Sequence, residues 1–141
     1  MKLKSLLSIF VLLLFPLVLS AQQKEAPEGA KTYVISPQHG EVVPQTFTIK
    51  FGLHGMGIAP AGNDIEGAGH HHLLIDVKEL PDLTLPLPST DQVRHFGLGQ
   101  TETVVTLPPG KHTLQLIVGD YAHIPHKDPV MSKKITIHVS E

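Results

Sequence analysis

Apolar and polar side chains alternate in short runs along most of this chain. In the clearest run, Thr46–His54, the side chains of Phe47, Ile49, Phe51 and Leu53 alternate with small or polar residues. A period of two gives a β-strand one buried face and one solvent-facing side. No segment carries a sustained apolar stripe with the 3.6-residue period of a helix. The pattern therefore predicts an all-β protein.

Similar runs recur between turns that are rich in proline and glycine. They predict further strands at residues 32–36, 71–77, 101–107, 112–120 and 134–139. Short strands separated by such turns are typical of two packed antiparallel sheets. We therefore expect an immunoglobulin-like antiparallel β-sandwich of six to seven strands with long loops. The longest connections cover residues 55–69, 78–100 and 121–133, and long loops on a small domain are usually functional or disordered.

The start of the chain predicts export. Lys2 and Lys4 precede an apolar run over residues 6–19, and the small residues Ser20 and Ala21 follow it. This is the pattern of a signal peptide cleaved after Ala21, and the run is shorter than the about 20 residues of a membrane span. We expect a periplasmic or secreted protein that contacts the membrane only through its signal peptide, before cleavage.

The rest of the chain predicts a single domain. Residues 22–30 are polar and contain Pro27 and Gly29. We expect a flexible leader there, between the signal peptide (residues 1–21) and the β-sandwich domain (residues 31–141). The remaining length suits one hydrophobic core.

The amino-acid composition excludes some classes of partner and some kinds of catalytic or metal site. The chain has 11 basic and 13 acidic residues, and loss of Lys2 and Lys4 with the signal peptide makes it more acidic, so we expect no nucleic-acid partner. Cysteine is absent, which excludes a thiol nucleophile and cysteine-based zinc or iron–sulfur sites. Gly-x-Ser-x-Gly, His-Glu-x-x-His and phosphate-binding glycine motifs are also missing from the sequence. We therefore expect a protein that is not an enzyme.

The chain contains ten histidines, and three of them are consecutive, in the segment GHHHLLID (residues 69–76). In a strand, His70 and His72 share one face and lie about 7 Å apart at the backbone, twice the rise per residue. Both rings can then reach one metal ion. His71 lies on the other face with Leu73, where we expect it to pack as a core or edge residue.

A second group of polar residues follows a predicted strand end. The segment GDYAHIPH (residues 119–126) places Asp120, His123 and His126 close together, and His95 lies in the middle long connection. Histidine and aspartate are ligands of copper and zinc. We expect copper as the metal, with zinc as the alternative. The predicted metal ligands are His70, His72, His95, Asp120, His123 and His126.

Two alternatives to a metal site stay open for these residues. Histidine titrates near neutral pH, so the group could act as a proton sensor. Loop histidines also serve as hydrogen-bonding residues in a purely structural role, and Asp120 could simply cap a turn. We expect the scattered histidines to be solvated surface residues; these are His39, His54, His112 and His138.

Six segments in this order carry a family resemblance: FGL (51–53), GMGIAPAG (55–62), GHHHLLID (69–76), HFGLGQTET (95–103), LPPGKHTLQL (107–116) and GDYAHIPH (119–126). Together they resemble a bacterial family of exported proteins with a domain of unknown function, over about residues 32–139. The resemblance implies a single exported domain and adds little about mechanism. Histidine is not expected in that family at His39 and His54.

A weaker resemblance concerns the stretch LPPGKHTLQLIVGDYAH (107–123). It is similar to a segment of the periplasmic copper-resistance proteins of the CopC type, which are also small β-sandwiches. The resemblance implies Asp120 and His123 as copper ligands. Here Tyr121 and Ala122 separate the two residues instead of a single residue, so only a copper-like site is implied and not its geometry.

Three functions follow as hypotheses. The leading one is an exported metal-binding protein that handles copper through its histidines. The alternative is a non-catalytic protein-interaction or envelope-accessory module, whose partner is another exported protein and whose histidines are structural. A hydrolase, metal-assisted or with histidine and aspartate as acid and base, is the third.

Overall fold

The computed structural model of the protein describes residues 22–141, so the predicted signal peptide, residues 1–21, lies outside the described residues. Nine strands are present and the described part of the chain has no helix, hence none that could cross a membrane. The strands are β1 (Lys31–Ser36), β2 (Val42–Val43), β3 (Thr46–His54), β4 (Gly57–Ile58), β5 (Ala68–Ile75), β6 (Val93–His95), β7 (Glu102–Thr106), β8 (Gly110–Gly119) and β9 (Ile135–Val139).

The strands form two sheets of different size. The smaller sheet has the order β1-β3-β7, and the larger has the order β2-β9-β8-β5-β4, with β6 also paired to β5. The all-β sandwich prediction is confirmed. The predicted number of strands, six to seven, is lower than the observed nine. The sequence does not reveal β2, β4 and β6, because strands of two or three residues cannot show alternation. The short strands β2 and β4 also pair in parallel, with β9 and β5.

The main hydrophobic core lies between the two sheets. Alternate residues of β3 are buried, as their pattern predicts. Each fully buried large aliphatic side chain stabilises the fold by about 1.5–3 kcal/mol. The residues of this core with no exposed surface are Ile49, Leu73, Leu114, Leu116 and Ile137.

A second apolar layer covers the outer face of the larger sheet. Leu74 and Ile117 on that face pack with Leu87 and Val93. Residues 76–92, between β5 and β6, supply part of this cover. Strand β5 is consequently buried on both faces, and the histidines that it carries are removed from water.

The expected leader, residues 22–30, forms hydrogen bonds with the loops of the sandwich. Nε2 of Gln23 donates a hydrogen bond of 3.0 Å to the carbonyl of Pro125. The backbone N–H of Lys127 donates one of 2.9 Å to the carbonyl of Lys24. These contacts are distant in sequence, and the polar composition of the leader does not reveal them.

Candidate metal centre

Four histidines from three parts of the fold meet on the outer face of the larger sheet. His70 and His72 lie on β5, and strand pairing sets His95 of β6 opposite His72. His123 lies in the loop after β8, whose last residue, Gly119, is opposite His70. One ring nitrogen from each histidine lies within 4.8 Å of the other three. We name these residues the four-histidine cluster.

One pair of ring nitrogens, which is at hydrogen-bond distance, has a spacing close to that of metal ligands. Nε2 of His70 lies 3.0 Å from Nδ1 of His123. In a tetrahedral site with metal–nitrogen bonds of about 2.0–2.1 Å, ligand nitrogens are about 3.3 Å apart. His70 and His72 are buried, whereas His95 is exposed and His123 is half-buried. The cluster is therefore open to solvent on one side, where the more exposed rings have room to adjust.

Two glycines leave space for the histidine rings. A side-chain carbon added to Gly119 would lie 2.9 Å from Cε1 of His72 and 3.2 Å from Cα of His123. One added to Gly97 would lie 2.3 Å from Cε1 of His95. Larger residues at these positions would displace the rings. Sequence reasoning missed both glycines, because their role depends on contacts across the sheet.

Burial keeps the inner rings of the cluster neutral. Loss of solvation, followed by repulsion from neighbouring histidines, lowers the pKa of His70 to about 4 and the pKa of His72 to about 3. Burial and the charge of His123 also lower the pKa of His95. Near neutral pH the three imidazoles therefore offer unprotonated nitrogens, which metal binding requires.

Several ring nitrogens lack the partners that buried polar atoms normally have. Nδ1 of His70 and both ring nitrogens of His72 have no hydrogen-bond partner within residues 22–141. An unpaired buried polar atom costs about 1–3 kcal/mol. A metal ion bound by one nitrogen of each ring would offset part of this cost, so the residues present fit a metal.

Asp120 shapes the loop that carries His123. Its Oδ1 accepts hydrogen bonds from the N–H groups of Ala122 (2.8 Å) and Ile124 (3.0 Å), and its carbonyl accepts one from the N–H of His123 (2.9 Å). His123 has a φ of 66°, which is uncommon for residues other than glycine. These bonds hold the loop in the shape that directs His123 at the cluster.

The structure does not bring two of the six predicted ligands into the cluster. One carboxylate oxygen of Asp120 is occupied by backbone N–H groups, as expected of a residue that caps a turn. His126 is only 2% exposed and borders a separate pocket beside Lys24 and Glu66. The two histidine motifs do meet, as the metal-site hypothesis requires, but in the second motif His123 alone joins the cluster.

Two further histidines are buried. His71 has no exposed surface and packs in the main core, 5.2 Å from Phe51 between ring centroids, as its position on β5 predicts. The expectation of a solvated His112 was wrong: it is 8% exposed, with Nδ1 at 2.7 Å from Asp76 and Nε2 at 2.8 Å from the Pro108 carbonyl. The other scattered histidines are exposed as expected; they are His39, His54 and His138.

Comparisons with known proteins give a family but no activity. The fibronectin(III)-like modules of Clostridium thermocellum CbhA are similar to this chain, with 12% identity and a TM-score of 0.39, over 77% of this chain and 95% of that chain. No curated protein matches the chain. Residues 49–140 match a family described as a domain of unknown function, DUF4399. Because the match spans more than half of the chain, the protein belongs to the DUF4399 family.

Proposed function

We propose that this protein is an exported, non-enzymatic metal-binding protein that handles copper in the periplasm. The observation that carries the proposal is the four-histidine cluster, in which four ring nitrogens from separate parts of the chain lie within 4.8 Å of one another. The basic start and apolar run within residues 1–21 support export.

The donor set favours copper(II) and zinc(II). The cluster contains four imidazoles and no carboxylate or sulfur. Imidazole suits both ions, whereas the thiolate and thioether ligands that select copper(I) are missing from it. Copper(II) binds nitrogen ligands more tightly than zinc(II) in the general order of divalent metals. We therefore propose copper(II) as the ion that binds most tightly.

The number of ligands supports binding and transfer over catalysis. Catalytic zinc sites keep a coordination position for water or substrate, and closed sites use four protein ligands. Four histidines can supply all four protein ligands of a closed site. The exposed ring of His95 lies on the side from which an ion can enter or leave, so the site suits reversible handling of the metal.

Metal titration tests the proposal directly. The chain from Gln22 onward contains both sheets and both apolar layers, so it is the protein to use. Copper(II) and zinc(II) are titrated against a competing chelator, and the copper-loaded protein is examined by electron paramagnetic resonance for nitrogen hyperfine structure. We expect one copper(II) per chain with several nitrogen ligands, and weaker binding of zinc(II).

Two triple variants test whether copper binds at the four-histidine cluster or at histidines elsewhere in the protein. His70→Ala/His72→Ala/His123→Ala should bind copper at least 100-fold more weakly, with circular dichroism confirming that it folds. The control replaces three exposed histidines, in the variant His39→Ala/His54→Ala/His138→Ala, and should bind like the parent. Absence of binding, or equal loss in both variants, would reject the metal site. Tighter binding of zinc would reject copper and retain a metal-binding function.

A further inference from the structure

A groove lies at the open edge of the sandwich, away from the histidines. It has a volume of about 440 Å³ and runs between the start of β1 and residues 129–133. Much of its wall is apolar, with contributions from Val34, Met131 and Ile135. We name it the edge groove. No residue of the four-histidine cluster lines it, so it is independent of the proposed metal site.

Strand β1 has an unpaired edge, since its only neighbour in the smaller sheet is β3. The N–H of Phe51 in β3 donates to the carbonyl of Thr101 (2.8 Å), which shows that the backbone of Phe51 is directed at the β7 side. Backbone groups alternate in direction along a strand, so Gly52 is directed at β1, where its partner is Tyr33. The backbone groups of Tyr33 therefore face β3.

The same alternation directs the backbone groups of Thr32 and Val34 away from β3, at the side that the edge groove borders. Thr32 is only 4% exposed, so Val34 is the more accessible of the two. The opposite wall has a matching feature. Val130 and Ser132 form backbone hydrogen bonds with β8, of 3.0 and 2.9 Å, so the backbone N–H and C=O of Met131 point the other way. Within the described residues these groups of Met131 have no hydrogen-bond partner. Both walls thus present unpaired backbone.

The edge groove is basic, although the protein has more acidic than basic residues. Lys31 and Lys133 border it, and both are exposed. Neither forms an ion pair with another described residue, and no acidic residue lines the groove. The charge therefore favours an acidic ligand.

We propose that the edge groove binds an extended, acidic segment of a partner protein, which adds to β1 as a new strand. Strand addition takes its affinity from backbone hydrogen bonds and its specificity from pockets for alternate side chains. The unpaired backbone and the apolar wall supply these two parts, and the two lysines add attraction for an acidic segment. A small amphiphile would leave the backbone groups unused, so an extended peptide fits the groove better.

Selection from a phage-displayed library of random twelve-residue peptides tests this proposal. The chain from Gln22 is immobilised, and peptides that also bind the variant Lys31→Glu/Lys133→Glu are removed. We expect enriched peptides to be acidic and to alternate apolar with polar residues. Their addition should shift the amide resonances of Thr32, Val34 and Met131, and should slow hydrogen exchange there, because new backbone hydrogen bonds form.

Affinities of the enriched peptides are then measured by fluorescence anisotropy. Lys31→Glu/Lys133→Glu should weaken binding at least tenfold, and Val34→Pro, which removes an edge N–H, should do the same. Lys50→Glu, on an exposed position outside the groove, should have no effect. The proposal fails if no peptide is enriched, if the enriched peptides are basic, or if they shift other amides. It also fails if Val34→Pro breaks a self-association of the chain, because a second copy would then be the occupant.

Discussion

His71 makes the folded protein sensitive to acid, and its replacement by leucine isolates that effect. The imidazole has no exposed surface and packs against Phe51 of the smaller sheet. Burial lowers the pKa of His71 to about 4 from an ordinary value of 6.5. The nearby backbone of Gly52 opposes this shift, although neither ring nitrogen of His71 has a hydrogen-bond partner among the described residues. Leucine keeps the site filled and removes the titration.

The size of the effect follows from the two pKa values. The unfolded chain binds a proton at His71 below about pH 6.5, whereas the folded protein binds it only below about pH 4. Between these values the unfolded state holds more protons, so the free energy of unfolding falls as the pH falls. The slope approaches 1.36 kcal/mol per pH unit. Through this single residue, the free energy of unfolding is therefore about 2.5 kcal/mol lower at pH 4.5 than at pH 7.5.

Urea unfolding of the metal-free protein, followed by circular dichroism, measures this difference. Parent and His71→Leu are compared at pH 7.5 and pH 4.5, with a chelator present throughout. The other histidines titrate in both proteins and cancel in the comparison. We expect the advantage of His71→Leu over the parent to grow by about 2.5 kcal/mol on acidification. An advantage that is the same at both pH values would refute the buried, neutral state of His71.

Three further predictions concern residues around the sites. Gly119→Ala should weaken copper binding at least tenfold in chelator competition, because its new carbon lies 2.9 Å from a cluster ring; Gly57→Ala, with its nearest contact at 3.5 Å, is the control. Asp120→Ala should lower the free energy of unfolding in urea by about 1–3 kcal/mol, and Asp120→Asn, which keeps an oxygen acceptor, should restore most of it. Burial lowers the pKa of His112, but its hydrogen bonds to Asp76 and a backbone carbonyl outweigh this and raise it. The raised pKa of His112 stabilises the folded state below about pH 6.5, and this stabilisation is lost as the pH rises through the folded-state pKa. Asp76→Asn should therefore lower the pKa of His112 in an NMR titration. It should also remove the added stability at low pH.

The strands were predictable where one face meets the core and the other meets water. Strand β3 satisfies that condition, and its predicted and observed bounds agree. Strand β5 does not, because loops cover its outer face and almost every residue in it is buried. Its bounds were predicted as residues 71–77 instead of Ala68–Ile75. His112 carried a usable signal: it alternates with Leu114 and Leu116, which are both fully buried.

The candidate site was predictable only in part, because its residues come together in different ways. His70 and His72 share a face through strand alternation, which the sequence shows. His95 is placed by pairing of β6 with β5, and no local pattern in a three-residue strand reveals its partner. Asp120 looked like a ligand by residue type, but its carboxylate is used by the backbone of the loop. Residue type thus identified the chemistry, and only the tertiary fold separated a ligand position from a supporting one.

His70 and His72 of β5 are poorly explained by stability alone. Leu74 lies on the same face as His72 and packs in an apolar layer, so that face accepts leucine. At His70 and His72 the fold instead contains buried nitrogens without partners, each of which costs about 1–3 kcal/mol. A ligand that binds only the folded state adds stability, about 2.7 kcal/mol at a hundred times its Kd. A bound metal ion would offset part of this local cost, and natural proteins tolerate such local conflicts mainly at functional sites.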